Sequence, residues 1–167
     1  MKSRLPYLIL AVAVILLDLW TKHLILQNFA LHETKEVIPG LFQLVYVQNT
    51  GAAFGLGARA ASPLVPLLLN IGAITVFVIV VVYSFRTALS DRLLQTGLHL
   101  ILGGAVGNLI DRFRFGWVVD FLDVYATFGG REHHWPAFNV ADSAISIGIA
   151  LLFLDMLRKP AKRAEAA

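Results

Sequence analysis

The sequence predicts an all-α membrane protein with four transmembrane helices, a small extracytoplasmic β element and an interfacial loop. Two observations indicate this fold class: 57% of the 167 residues are hydrophobic while 15% are charged, and the mean hydropathy is +0.72. This composition is too apolar for an ordinary soluble domain. The hydrophobic residues also gather in runs of about 20 residues, which is the length needed to cross hydrocarbon. We therefore expect one integral membrane domain over residues 1–167.

Charge and cysteine content exclude several classes of function. The sequence contains no cysteine, which excludes disulfides, thiolate metal sites and a cysteine nucleophile. The formal net charge of +3 comes from basic clusters beside the hydrophobic runs. Clusters in that position indicate membrane topology rather than a nucleic-acid surface, so we expect no nucleic-acid partner.

The first predicted span covers residues 5–29. Its basic start and apolar run resemble a signal peptide, but the hydrophobic pattern continues without a clear cleavage site, which favours a retained helix. Asp18 and Lys22 are four residues apart and therefore share a helix face on which they can pair. The pair either orients the helix, which is the interpretation we favour, or contacts a substrate directly.

Residues 30–63 predict an extracytoplasmic loop that contains a small β element. The segment 37–40 indicates a turn, and residues 41–48 are rich enough in β-branched and aromatic side chains for a strand. Small residues and a second turn signal follow from Asn49 onward. Asn49 is either a plain turn former, which its context favours, or a functional amide.

The second and third spans are predicted over residues 64–85 and 93–112. The second is almost purely aliphatic and is expected to face lipid or other helices. The third contains Gly103 and Gly107, a G-x-x-x-G pair that allows another helix to approach closely. Asn108 and Asp111 then place polar groups at its end, while His99 nearer the middle is interpreted as a packed histidine rather than a ligand.

The last part of the chain is predicted to form a loop over residues 113–137 and a fourth span over 138–157. Four aromatic residues of the loop have near-helical spacing, which predicts an interfacial segment at headgroup level: Trp117, Phe121, Tyr125 and Phe128. The adjacent His133 and His134 have no third ligand at a suitable spacing, so we expect no metal site. The fourth span carries polar residues on one face: Asn139, Asp142, Ser143 and Ser146.

Basic residues predict the orientation of the four spans. One side carries both termini and the 86–92 loop, with most of the basic residues in short segments: Lys2, Arg4, Arg86, Arg92, Arg158, Lys159, Lys162 and Arg163. The positive-inside rule therefore makes the termini cytoplasmic. The polar groups of the spans and of the last loop then gather near the outer leaflet: Asp18, Asn108, Asp111, Asp120, Asn139 and Asp142. Ionisable groups at such a depth are expensive and indicate a functional site.

The candidate chemistry depends on carboxylates, because no serine–histidine–acid arrangement, metal-ligand spacing or phosphate-binding loop is evident. Two aspartates held close together share a proton, so that one activates water while the other protonates a carbonyl oxygen. Asp111, Asp120 and Asp142 are the candidates. Asp111 has an adjacent cation in Arg112 and hence a ready structural role. Asp142 either caps the fourth helix together with Asn139 or acts as the base, favoured by the helix dipole.

At these residues the sequence resembles the lipoprotein signal peptidases, or signal peptidase II, over nearly the whole chain. The resemblance covers five motifs: Asp18 with Lys22, Asn49-x-Gly51-Ala52-Ala53-Phe54, Gly103-Gly104-Ala105-x-Gly107-Asn108-x-x-Asp111-Arg112, Val118-Val119-Asp120-Phe121 and Phe138-Asn139-x-Ala141-Asp142. It implies that Asp120 and Asp142 are the catalytic pair. The supporting or substrate-binding positions it implies are Asp18, Lys22, Asn49, Gly51, Asn108, Asp111, Arg112, Asn139 and Ala141. The 121–137 loop is expected to be a few residues longer than in typical members.

The resemblance implies an intramembrane aspartic endopeptidase of the bacterial inner membrane. It would remove signal peptides from prolipoproteins by cutting before a diacylglyceryl-modified cysteine, with membrane lipid around it and without a metal or organic cofactor. We expect a monomer. Two other classes are compatible with the residues alone: a small transporter or proton conductor, and an assembly subunit with helix-pairing glycines. Against a transporter, the acids cluster at one leaflet and no polar path across the membrane is visible.

Overall fold

A computed structural model describes residues 3–51 and 64–164 of the chain. It is mostly helical, with a small antiparallel sheet. In chain order the elements are α1 (Leu5–Asn28), β1 (Thr34–Ile38), β2 (Phe42–Asn49), α2 (Leu64–Arg86), α3 (Arg92–Phe115), β3 (Val118–Phe128), β4 (Arg131–His134) and α4 (Val140–Ala164). The second half of the predicted 30–63 loop, including the motif residues Ala52, Ala53 and Phe54, lies outside the described residues.

Length and hydropathy make three of the described helical segments suitable for crossing a membrane: Leu5–Asn28, Arg92–Phe115 and Val140–Arg158. Within α2, Asn70–Arg86 forms a shorter apolar helix. The helices begin and end within a few residues of the predicted spans, except that α3 continues to Phe115 and α4 to Ala164. The extension of α3 ends at Gly116, whose left-handed backbone (φ +82°) suits a glycine.

Helix α3 is the centre of the bundle, because α1, α2 and α4 all pack against it. Small residues permit the close approach of its neighbours. A Cβ atom added at Gly103 would lie 2.8 Å from the carbonyl oxygen of Ala11 in α1. A Cβ at Gly104 would overlap the carbonyl oxygen of Ala141 and lie 2.8 Å from Ile145 Cγ1, both in α4. The glycines of α3 therefore face two different helices, and the predicted G-x-x-x-G face packs against α1.

The sheet has the strand order β1-β2-β3-β4, with every neighbouring pair antiparallel. Strand β2 agrees with the predicted strand over residues 41–48. The predicted turn at 37–40 is shifted, because Val37 and Ile38 complete β1 and the chain reverses at Pro39 and Gly40. A two-residue hairpin turn joins β3 to β4, and its Gly129 and Gly130 both have positive φ angles, as the tightest turns require.

The near-helical spacing of the aromatic residues in the 113–137 loop does not correspond to a helix, because most of this segment forms β3 and β4; its interfacial position stays a prediction. Phe121 and Tyr125 do share one face, as their spacing indicated. A separation of four residues places side chains on the same face in a helix and also in a strand, so it does not distinguish the two. The β-branched Val118, Val119 and Val124 favour the extended form.

Replacement of Gly104 by alanine is expected to lower the free energy of unfolding by about 1–3 kcal/mol, because the added methyl group meets backbone of α4 that cannot move aside. Gly72→Ala in α2 is the matched control, since a Cβ at Gly72 has no atom within 4 Å. Thermal unfolding in detergent micelles compares the two variants. Equal melting temperatures would contradict the close packing of α3 against α4.

Candidate active site

A buried ion cluster joins α1 to α3. The ammonium group of Lys22 lies 2.7 Å from Asp18 Oδ2 and 2.9 Å from Asp111 Oδ2. All three side chains are almost completely buried, with exposed fractions of 0% to 2%. The contact with Asp18 Oδ2 lacks the angles of a hydrogen bond and is therefore an ion pair. Asp18 and Lys22 pair as their i, i+4 spacing predicted, and the full burial of Asp18 favours the orienting interpretation over substrate contact.

Asp111 does not pair with Arg112, its neighbour in sequence. Its carboxylate pairs with Lys22 and accepts a hydrogen bond from the backbone N–H of Val119 at 3.1 Å. Consecutive residues of a helix point about 100° apart, so Arg112 is directed elsewhere. Arg112 instead lines the cavity described below, together with Asp120 and Asp142. Asp111 thus belongs to a buried ion pair with Lys22, whereas Arg112 is a cation that lines the cavity.

The start of α4 is held by reciprocal hydrogen bonds. Asn139 Oδ1 accepts from the backbone N–H of Asp142 at 2.9 Å, and Asp142 Oδ2 accepts from the backbone N–H of Asn139 at 3.2 Å. Asp18 Oδ1 accepts from the backbone N–H of Ala141 at 2.9 Å. These acceptors satisfy amide groups that a helix N-terminus leaves without partners. The predicted cap is present, and it orients the carboxylate of Asp142.

The amide of Asn139 joins the two aspartates of the candidate pair. Its Nδ2 donates to Asp120 Oδ1 at 2.7 Å, while its backbone N–H is bonded to Asp142. Asn139 is completely buried (0% exposed). A second donor to Asp120 is Asn49 Nδ2, at 2.8 Å from Asp120 Oδ2. Asp120 and Asp142 therefore have fixed positions on the wall of one cavity.

Asn49 is more than a turn former, which was the interpretation its sequence context favoured. Its Oδ1 accepts from the backbone N–H of Gly51 at 2.9 Å, which is the turn-forming contact, while its Nδ2 reaches Asp120. Val47, two residues earlier in β2, is paired with Asp120, so the sheet register brings Asn49 close to that carboxylate. The side chain of Asn49 thus contacts both the backbone of Gly51 and the carboxylate of Asp120.

The cavity has a volume of about 510 Å³, which is within the usual range for ligand-binding clefts. Asp120 and Asp142 line it together with three other polar residues implied as supporting: Asn49, Asn108 and Arg112. Its outer wall is the apolar segment Trp135–Phe138, and its inner wall is a face of α4 that includes Ile145, Ser146 and Ile149. Ile149 is seven residues beyond Asp142, so the cavity extends about 10 Å along α4.

Burial, together with the nearby charge of Asp142, raises the pKa of Asp120 from its ordinary value of 3.8 to about 7. Hydrogen bonds from Asn49 and Asn139 oppose this shift. Asp120 lies in β3 and is 2% exposed, whereas Asp142 is only half-buried. The two carboxylates therefore have different environments, and the strand residue is the one that favours the protonated form.

Two groups of residues were missed from the sequence, one at the site and one outside the cavity. The segment Trp135–Phe138 forms the outer wall of the cavity. In the sequence it is visible only as a short apolar run immediately before Asn139. Asp123 and His134 form a polar contact on the opposite face of β3, with His134 Nδ1 2.9 Å from Asp123 Oδ2. His133 instead contacts the ring of Phe128, so the adjacent histidines diverge as predicted. His99, also as interpreted, is buried, with its Nδ1 2.8 Å from the carbonyl oxygen of Gln95.

Comparisons with known proteins identify the family of this chain. A family model described as signal peptidase (SPase) II matches residues 10–158. The chain belongs to the signal peptidase II family. A lipoprotein signal peptidase of Syntrophus aciditrophicus (strain SB) is 45% identical over 160 residues, covering 95% of this chain and 96% of the relative. That of Geobacter sulfurreducens (strain ATCC 51573 / DSM 12127 / PCA) is 45% identical over 151 residues, covering 90% of each.

The fold is also similar to a solved structure described as a bacterial membrane enzyme at 2.3 Å resolution. The TM-score is 0.80 at 30% sequence identity, with 94% of this chain and 90% of the other covered. A second structure, at 1.9 Å resolution, has a TM-score of 0.79 at 31% identity and covers 92% and 94% of the two chains. The signal peptidase II chain described here is thus a protease with the architecture of a bacterial membrane enzyme.

The raised pKa of Asp120 has a consequence for stability. Because the folded state binds this proton more tightly than the unfolded state, its contribution is full below about pH 4 and is lost as the pH rises through about 7. The shift corresponds to a loss on the order of 4 kcal/mol. Thermal unfolding in detergent should therefore show wild type losing stability relative to Asp120→Asn between pH 4 and pH 8. A difference between the two proteins that does not change with pH would contradict this assignment.

Proposed function

We propose that this signal peptidase II is an aspartic endopeptidase that removes signal peptides from bacterial prolipoproteins, with Asp120 and Asp142 as its catalytic pair. The bond cut would be the one before a diacylglyceryl-modified cysteine. The observation that carries the proposal is the position of Asn139. One residue donates hydrogen bonds to both carboxylates, from its side chain to Asp120 and from its backbone to Asp142, at the wall of a cavity.

The environments of the two aspartates support different roles. Asp142 is half-buried at the N-terminus of α4, where the helix dipole favours a negative charge, so it is the general base. Asp120 is buried in β3, with a pKa raised to about 7, so it carries the shared proton and is the general acid. Arg112 lines the same cavity and provides a positive charge near both groups.

The reaction follows from these two protonation states. Asp142 takes a proton from a water molecule as the water oxygen attacks the scissile carbonyl carbon, and Asp120 gives its proton to the carbonyl oxygen. The product is a neutral tetrahedral diol. Asp142 then returns its proton to the departing amide nitrogen as the carbon–nitrogen bond breaks, and Asp120 recovers a proton from a diol hydroxyl group. The cycle ends with both aspartates in their starting states and with no metal ion used.

The shape of the cavity suits a lipid-modified membrane peptide. Its inner wall of Ile145, Ser146 and Ile149 lies along α4, where the apolar helix of a signal peptide can pack. Its outer wall, Trp135–Phe138, is apolar and adjoins the sheet. Asn49, Asn108 and Arg112 supply the few polar groups needed to orient a peptide backbone between these walls. The lipid chains of the modified cysteine remain in the surrounding bilayer.

The catalytic assignment is tested with purified protein in detergent and a diacylglyceryl-modified prolipoprotein peptide. Asp120→Asn and Asp142→Asn are each expected to lose about 10²–10⁴-fold in turnover, since each removes one proton-transfer group. Asp123→Asn is the matched control, because it lies three residues from Asp120 on the opposite face of β3 and outside the cavity. We expect it to cleave at close to the wild-type rate.

Folding of each variant is checked by thermal unfolding. Substantial cleavage by a folded Asp120→Asn or Asp142→Asn protein would exclude that residue from the pair. An absence of cleavage by folded wild-type protein, with modified and unmodified peptides alike, would refute the peptidase function for this substrate class.

The proposed orientation has four spans in the bacterial inner membrane, with both termini cytoplasmic and the aspartates near the outer leaflet. Arg4 supports it, because its guanidinium donates to the carbonyl oxygens of Ser84 and Phe85 and so holds the start of α1 beside the end of α2. Asp18 is 13 residues from Leu5, about 20 Å along α1, which is two thirds of the hydrocarbon thickness. The positive-inside rule then makes the Arg4 end cytoplasmic.

Because the chain has no cysteine, single cysteines can report this topology directly. Glu132→Cys, in the exposed strand β4, is expected to react with a membrane-impermeant maleimide in intact spheroplasts. Ser90→Cys, in the exposed segment between α2 and α3, should react only after the membrane is permeabilised. The reverse pattern of labelling would invert the proposed orientation.

A further inference from the structure

Lys22 is buried next to the catalytic residues without contacting either of them. Its side chain is 2% exposed and does not line the cavity. Three oxygen atoms lie within 3.0 Å of its ammonium group: Asp18 Oδ2, Asp111 Oδ2 and Asn108 Oδ1. Two carboxylates are more than one ammonium group needs for neutrality. The third contact, at 3.0 Å to the amide oxygen of Asn108, is a hydrogen bond to an uncharged group and does not contribute to charge balance.

The amide of Asn108 has two possible orientations, which exchange its donor and acceptor ends. In the structure its oxygen accepts from Lys22 Nζ at 3.0 Å and from Asn139 Nδ2 at 3.2 Å. Its Nδ2 donates to Asp142 Oδ1 at 2.8 Å. A flipped amide would direct its NH₂ group at two other donors and its oxygen at a carboxylate. All three contacts would then be repulsive, so the neighbours determine one orientation.

Asn139 Nδ2 divides its two N–H groups between Asp120 Oδ1 at 2.7 Å and Asn108 Oδ1 at 3.2 Å, so its contact with Asn108 is the longer of the two. The ammonium group of Lys22 makes the shorter contact with the Asn108 oxygen, at 3.0 Å, and cannot act as an acceptor in any rotamer. It is also held on its other sides by Asp18 and Asp111. Lys22 is therefore the closer and the charged one of the two donors that hold the Asn108 oxygen away from Asp142.

We propose that Lys22 is a positioning residue of the peptidase, which fixes the Asn108 amide with its NH₂ group toward Asp142. The proposal depends on the catalytic function proposed above. With Asn108 Nδ2 on Oδ1 and the backbone N–H of Asn139 on Oδ2, each oxygen of Asp142 has one fixed donor. The remaining lone pairs are then directed into the cavity, where the attacking water binds. Lys22 thereby orients the carboxylate of Asp142, the general base, although Lys22 itself does not line the cavity.

The test compares Lys22→Gln with Lys22→Met, two side chains of equal length and zero charge. Glutamine presents an N–H donor toward Asn108, one bond closer to the backbone than Lys22 Nζ, and methionine presents none. Both are made with Asp111→Asn, so that the cluster keeps the wild-type net charge of −1 from Asp18; wild type, with the same cluster charge, is the reference, and the Asp111→Asn protein, whose cluster is neutral, is measured beside them. Thermal unfolding of all proteins is measured first. The steady-state kcat and KM for the lipid-modified peptide are then determined.

We expect the methionine variant to lose about 10–100-fold in kcat, the range for a lost hydrogen bond to a charged group, with KM changed less than about threefold. The glutamine variant should retain most of the reference kcat. A role in charge balance or packing alone predicts equal losses in both variants, and that result would overturn the proposal. Should the methionine variant not fold, Asn108→Asp in the otherwise unchanged chain replaces it.

Asn108→Asp keeps an acceptor for Lys22 but removes the donor to Asp142. The proposal predicts a similar loss in kcat for this variant, and wild-type turnover would refute it. Failure here is distinguishable from failure of the catalytic proposal. The catalytic proposal fails if wild type does not cleave, or if Asp120→Asn or Asp142→Asn still cleaves. The positioning role, by contrast, can be refuted while wild type cleaves normally.

Discussion

The structure depends on one constraint, which is that an ionised side chain buried in an apolar bundle must have a partner of opposite charge. Asp18, Lys22 and Asp111 are all at most 2% exposed; Asp18 and Lys22 pair within α1, and Asp111 is paired only when α1 and α3 lie side by side at this depth. An unpaired charge in such a place costs several kcal/mol. Because a shift of either helix by one turn would separate these groups, the ion cluster specifies the register of the bundle.

The same cluster connects the helices to the candidate catalytic residues. Asp18 accepts from the first turn of α4, Asp111 accepts from the backbone of Val119 at the start of β3, and Lys22 contacts Asn108. The glycines of α3 make these contacts possible, since any larger residue at Gly104 or Gly107 would displace α4 or the Asp18 carboxylate. Close packing and charge pairing therefore support each other: the glycines allow the approach, and the ion cluster makes it specific.

The two candidate catalytic aspartates differ because they lie on different kinds of secondary structure. Asp142 begins a helix and is half-exposed to the cavity, while Asp120 lies within a strand that is paired with β2 and with Phe138. A strand between two partners holds its side chains rigidly and keeps water away, which raises the pKa of Asp120 to about 7. Asn139 links the two environments.

The sequence by itself determined the features that depend on local spacing. The helix positions followed from apolar runs, the Asp18–Lys22 pair from an i, i+4 separation, and the Asn139–Asp142 cap from an i, i+3 separation. Each of these involves residues within one or two turns, where backbone geometry alone brings the side chains together. The resemblance to signal peptidase II added the candidate pair, because five motifs in order identify a family even when their contacts are unknown.

Only the tertiary structure decided which distant residues are partners. Lys22 rather than Arg112 neutralises Asp111, and Asn49 reaches Asp120 across the sheet register. The β3–β4 hairpin was also decided at this level, because a spacing of four residues fits both a strand and a helix. The two long-range partnerships have the same physical reason. Hydrogen bonds and ion pairs between residues 70 to 90 positions apart depend on how the elements pack, and local periodicity carries no information about that packing.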